Sequence, residues 1–83
     1  MDYKLFSDVV VVRDIPQHQL RSGDIGTVVE RHDIAGKETG YSVEFFDALR
    51  KTIAVVTLPV SQLRLPQHTD IPAVRPSSKV VAS

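Results

Sequence analysis

The chain contains no cysteine, which excludes both a disulfide framework and a thiolate zinc site. It also lacks any apolar run approaching the roughly 18 residues that a membrane-crossing helix requires. Met1-Asp2-Tyr3-Lys4 leads into no apolar region of the signal-peptide kind, so a cytoplasmic protein is expected. Charge of one sign is missing too. Ten lysines and arginines balance ten acids, and a chain without net charge lacks the long-range attraction that draws proteins to nucleic acid or anionic membranes. A local basic patch is the remaining route to such a partner.

With 83 residues, 42% of them hydrophobic and 24% charged, the chain has material for one core and not two. A domain of this size buries roughly 60% of the surface that its unfolded chain exposes, so its stability is modest and association with a partner would add to it. The stretch around which the rest is organised is Gly23-Asp24-Ile25-Gly26-Thr27-Val28-Val29-Glu30. Its two glycines suit places where the chain turns with φ > 0 or packs its backbone closely, and the β-branched residues that follow favour a pleated strand. Asp24 is placed to satisfy a backbone N–H of the turn, as Asx side chains do.

Taken in order, Tyr3-Lys4-Leu5-Phe6 reads as a lead-in that tucks Leu5 or Phe6 under the domain. Asp8-Val9-Val10-Val11-Val12-Arg13 reads as a first strand, whose four consecutive valines predict burial on both faces. Asp14-Ile15-Pro16 ends it, because proline donates nothing to a ladder. A polar loop follows, with Leu20 as its inward anchor. The second strand is expected from about Gly26 to His32, and residues 33–40 form a hairpin loop longer than the two-residue type. Tyr41-Ser42-Val43-Glu44-Phe45-Phe46-Asp47 gives the clearest alternation, apolar at Tyr41, Val43 and Phe45. After the connection Ala48-Leu49-Arg50-Lys51, a further β-rich run extends from Thr52 to Leu58 and stops at Pro59. Val60-Ser61-Gln62-Leu63-Arg64-Leu65-Pro66 is too short for a stable helix but fits a single helical turn with Leu63 pointing inward, followed by a brief closing strand.

These elements predict an all-β, antiparallel domain of about five short strands over residues 1–65, with a short helical turn before the last strand. Its core is expected to draw on Val10, Val12, Ile25, Val28, Val43, Phe45, Ile53, Val55, Leu58 and Leu63. Residues 66–83 contain Pro66, Pro72 and Pro76, three of the five prolines, and no aromatic residue, so a flexible tail is expected there.

The order of strands, glycine turn, hairpins and helical turn resembles a small SH3-like barrel of the kind that includes the KOW ribosomal and transcription modules. More closely, the series Asp8-Val9-Val10, Asp14-Ile15-Pro16, Gly23 to Glu30, Tyr41-Ser42-Val43-Glu44-Phe45 and Thr57-Leu58-Pro59 is similar to a family of small bacterial proteins known as domain of unknown function 4926, over about residues 5 to 65. The resemblance implies fold more than activity. It also implies partner binding, in some members as companions of a toxin-like protein, and it carries no catalytic residues over to this chain.

The candidate chemistry is sparse. His18, His32 and His68 stand far apart with no ligand spacing, so solvated histidines are expected and no metal or cofactor. His32 and Asp33 are neighbours on a strand end and point to opposite faces, which argues against a dyad. Ser7, Ser42 and Ser61 lack a glycine-framed elbow. Gly-Asp-x-Gly sets a carboxylate where a phosphate site wants amides, so Gly23, Asp24 and Gly26 read as a structural turn. Arg50-Lys51 is the adjacent basic pair of the domain, read either as a nucleic-acid contact or as a solvated hairpin tip. Phe46 falls on the nominally wet face beside Glu44; it is either an interface anchor or, where the strand bends strongly, packed under a loop or the tail. With strands two and three in simple register, Glu44 and Arg31 would be rim charges around it. The reading is therefore a non-catalytic protein–protein interaction module, an accessory or neutralising partner of another protein or of a copy of itself, and the alternative is a KOW-like nucleic-acid or ribonucleoprotein binder.

Overall fold

A computed structural model describes residues 2–72. Five strands, β1 (Asp8–Val11), β2 (Ile25–His32), β3 (Gly40–Phe46), β4 (Thr52–Pro59) and β5 (Leu63–Arg64), form one antiparallel sheet in the order β4-β3-β2-β1-β5. The helical elements among the described residues are two single 3-10 turns, Pro16–His18 and Val60–Gln62, the second lying before β5 as the sequence predicts. No helix among them is long and apolar enough to cross a membrane. The expected tail is described as far as Pro72, and residues 73–83 lie outside the described residues.

The valine run of β1, an interior strand between β2 and β5, is buried on both faces: Val9, Val10 and Val11 are all at most 1% exposed. Along β3 the alternation holds, with Tyr41, Val43 and Phe45 turned into the core. On the adjoining strand the expected core residue Val55 is instead 57% exposed, and Val56 is buried. The cause is register. Val56 stands opposite Val43, whereas Val55 stands opposite Glu44 on the outward face, and Ile53 is an extra residue bulged out between the Phe45–Ala54 and Phe46–Thr52 pairs. Val12, Ile25 and Ile53, also expected inside, are half-buried.

The lead-in differs from expectation as well. Leu5 and Phe6 are exposed, and Tyr3 takes the place under the domain. A tight turn reverses the chain here: the Ser7 amide and hydroxyl both donate to the Lys4 carbonyl, and Phe6 adopts φ +65°. Tyr3 thereby reaches across the sheet. Its N–H donates to Tyr41 Oη at 3.0 Å, its own hydroxyl donates to the Leu63 carbonyl of β5 at 2.9 Å, and the two rings meet edge to face at 5.2 Å. Burial, with Tyr41 alongside, pushes the Tyr3 phenol up, so it keeps its donor proton at neutral pH.

The two glycines of the organising turn are needed for different reasons. Gly23 has φ +96° and open space around it. The turn closes through Gly23 N–H to the Val11 carbonyl (2.8 Å), Asp24 N–H to the Arg21 carbonyl (3.0 Å) and Arg21 N–H to the Asp24 carboxylate (2.9 Å). The preceding loop is pinned by the Ile15–Leu20 bridge, both residues buried. Gly26 lies within β2 outside the left-handed region, and an added Cβ would collide with the Val43 side chain and come within 2.9 Å of the Phe45 ring and 3.0 Å of the Glu44 carbonyl.

Denaturant unfolding separates the two roles. Gly23→Asn should cost less than Gly23→Val, because asparagine tolerates the left-handed region. Gly26→Ala and Gly26→Asn should both lose about 1–3 kcal/mol or more, because the obstacle there is volume. In the lead-in, Tyr41→Phe should cost about 1–3 kcal/mol by leaving the buried Tyr3 N–H unpaired, whereas Leu5→Ala should change the midpoint little.

Candidate functional site

The outward face of the sheet, opposite the core, carries the side chains alternating with Tyr41, Val43 and Phe45. In register across it lie Asp8, Thr27, Glu44 and Val55. Thr27 donates to Asp8 at 3.1 Å, and the Glu44 carboxylate accepts from the Thr52 hydroxyl. Phe46 follows Glu44 on this face and is 38% exposed. Val55, opposite Glu44, is the diagonal neighbour of Phe46 across the β3–β4 pair.

Next to Phe46, residues 47–51 turn β3 into β4 around one carboxylate. Asp47 accepts from Leu49 N–H (2.8 Å) and Lys51 N–H (2.9 Å) through the same oxygen, its own N–H donates to the Lys51 carbonyl, and Arg50 takes φ +68°. This compact loop leaves Leu49 79% exposed and turns Arg50 and Lys51 to solvent at the hairpin tip. Phe46, Glu44, Arg50 and Lys51 therefore belong to one end of the β3–β4 hairpin.

Arg31 does not join them. A bulge between Val28 and Glu30 advances β2 by one residue, so that Glu30 pairs with Ser42 on the outward face and Arg31 pairs with Tyr41 on the other. The simple register expected from sequence is replaced, and with it the rim pairing of Arg31 and Glu44. Arg31 is instead held by Asp2 at 3.1 Å and Asp33 at 3.0 Å, and these carboxylates, Asp33 foremost, push the guanidinium further up.

The same bulge assembles a polar row that the sequence alone does not reveal. His32 Nε2 and Ser42 Oγ are hydrogen-bonded at 2.8 Å, Ser42 and Thr57 at 3.0 Å, and Glu30 Oε1 lies 3.8 Å from the same His32 nitrogen. His32 is thus half-buried and partnered rather than solvated. A hydrolytic relay would need the acid on the opposite ring nitrogen from the serine, and here both sit at Nε2. Ser42, 7% exposed, is a cross-strand tie. Among the described residues no three His, Asp or Glu side chains converge as a metal site would require.

Past β5, the chain is clasped back to it. Arg64 and Asp70 pair through two parallel bonds of 2.8 Å, and Gln67 N–H donates to Asp70 as well. The Arg64 guanidinium, with help from the Gln67 amide, holds the Asp70 carboxyl at about 2, below the usual aspartate value. Because the folded-state value is depressed, the clasp is fully formed above about pH 4 and is lost as pH falls through about 2. A carboxyl NMR titration should show this, and Asp70→Asn should release residues 66–70 at neutral pH.

Searches of the curated proteins and of the solved structures each returned no match. A family model does match, over residues 5–65, from just after the lead-in to just past β5. That span covers most of the chain, and the chain belongs to the family described as Domain of unknown function (DUF4926).

Proposed function

We propose that the chain is a non-catalytic protein-binding module whose contact surface is centred on Phe46. The observation that supports this best is the group of exposed apolar side chains at one end of the β3–β4 hairpin: Phe46, Val55 and Leu49, flanked by Glu44, Arg50 and Lys51. Apolar anchors inside a charged rim are the usual anatomy of a protein interface. Catalysis has less support. The open groove lined by Tyr3, Val60, Leu63 and Pro66 has Arg64 as its cation, and that group is already paired with Asp70.

An SH3-like barrel is the finer description of the fold that we favour. Its support is the strand order, with β1 between β2 and β5, and the 3-10 turn that joins β4 to β5. The nucleic-acid alternative has the exposed Arg50-Lys51 tip in its favour. Against it, Arg31 and Arg64 are engaged by Asp2, Asp33 and Asp70, and phosphate binding needs a concentrated positive surface. The reading we favour is an accessory or neutralising companion of another protein, in a bacterial cytoplasm.

The test compares the parent protein with Phe46→Ala, whose melting temperature should fall by only a few degrees because the ring is partly in water, so that it stays folded in the assay. Affinity capture from the native cell extract should recover one partner with the parent and lose it with Phe46→Ala. Equal recovery by both proteins would remove Phe46 from the contact.

A further inference from the structure

The two edges of the sheet are built differently. The edge at β5 is two residues long and is followed by Pro66 and the Arg64–Asp70 clasp. The edge at β4 is eight residues long, Thr-Ile-Ala-Val-Val-Thr-Leu-Pro, with no charged residue in it. Edge strands are commonly protected by charge, by proline or by a bulge. Here the Ile53 bulge and Pro59 stand at the two ends and leave residues 54–58 as a regular, uncharged, largely β-branched run.

The hydrogen-bonding phase of that run follows from one bond. Val60 N–H donates to the Thr39 carbonyl at 2.8 Å, which makes Thr39 and Val60 a hydrogen-bonded pair. In an antiparallel ladder such pairs alternate with non-hydrogen-bonded ones. Counting back along the observed register, Leu58 with Tyr41 and Val56 with Val43 bond to β3, while Thr57 opposite Ser42 and Val55 opposite Glu44 do not. The N–H and C=O groups of Val55 and Thr57 therefore point away from β3, along the open edge, and both residues are exposed. The next position in that series is Pro59, which has no N–H, so the donors of the edge converge on Val55 and Thr57.

We propose that β4 pairs antiparallel with β4 of a second copy, about a two-fold axis through Val56, so that Val55 of each chain bonds to Thr57 of the other. This register uses both outward-pointing residues twice, giving four backbone bonds, and keeps Pro59 and the Ile53 bulge outside the pairing. It sets Val55 opposite Thr57 of the second copy, a β-branched cross-strand pair. Self-pairing is also free of charge conflict, because the strand is uncharged and the chain carries no net charge. The proposal rests on reading the chain as a protein-binding module and names a second copy as the occupant of this edge.

Sedimentation equilibrium on the full chain tests it, with variants that exploit the register. The parent should pass from monomer toward dimer between about 10 μM and about 1 mM, the range open to a small interface. V55K/T57K places lysine opposite lysine at both crossings and should stay monomeric over that range. V55K/T57E places lysine opposite glutamate at both and should recover the dimer. A parent that is monomeric throughout overturns self-pairing while leaving the Phe46-centred reading to its own test. Dimers of undiminished strength in V55K/T57K overturn it by moving the interface elsewhere, and a monomeric V55K/T57E overturns this register. If the parent is monomeric and V55K/T57K loses a partner that Phe46→Ala keeps, the edge takes a strand of a different protein and the second-copy proposal falls.

Discussion

The fold depends on how closely β2 can approach the strand beside it. Beta-2 is shared, pairing with β1 through residues 25–27 and with β3 through residues 27–32. At Gly26, paired with Val9 of β1 just before the two ladders overlap at Thr27, a missing side chain leaves room for Val43 and Phe45. Val43 and Phe45 close over this position and are each at most 3% exposed. Burying one such side chain contributes about 1.5–3 kcal/mol. A methyl group at position 26 would displace both at once, so a residue with no side-chain carbon sets the spacing of the core.

Two bulges then decide which residues meet the solvent. The one between Val28 and Glu30 turns Glu30 and His32 outward, joins them to Ser42 and Thr57, and carries Arg31 round to Asp2 and Asp33. The one at Ile53 sets the phase of the β3–β4 pair at its hairpin end. A period of two is a property of a regular strand. An extra residue inverts it for every position that follows on that strand.

This explains what the sequence disclosed and what it withheld. Strand identities, the helical turn before β5 and the inward phase of Tyr41, Val43 and Phe45 were legible, because each rests on local composition or on an uninterrupted alternation. The reason for each glycine was not, since φ at Gly23 is a local property while crowding at Gly26 comes from a strand some 17 to 19 residues away. A register without a bulge would set Arg31 on the Phe46 face. In a run where valines stand at 55 and 56, composition cannot choose which of the two is core. The role of Tyr3 rests on two long-range bonds, to Tyr41 and Leu63, which local composition does not show, whereas Leu5 and Phe6 carry the apolar character that composition reads as burial. Signals for these would have to come from pairing across strands.

Val55 connects the two proposed surfaces. Its side chain stands diagonal to Phe46 on the outward face, and its backbone groups point along the β4 edge. A strand added at that edge would continue the outward face beyond Val55 and leave Phe46, one strand further in, uncovered. A partner seated on the face at Phe46 would cover the Val55 side chain while leaving its N–H and C=O directed at the edge. The two modes therefore use different atoms of the same residue and are geometrically compatible. In a β4-paired dimer the two Phe46 groups would share one continuous face, related by the two-fold axis, and a partner with two matching sites would gain from engaging both at once.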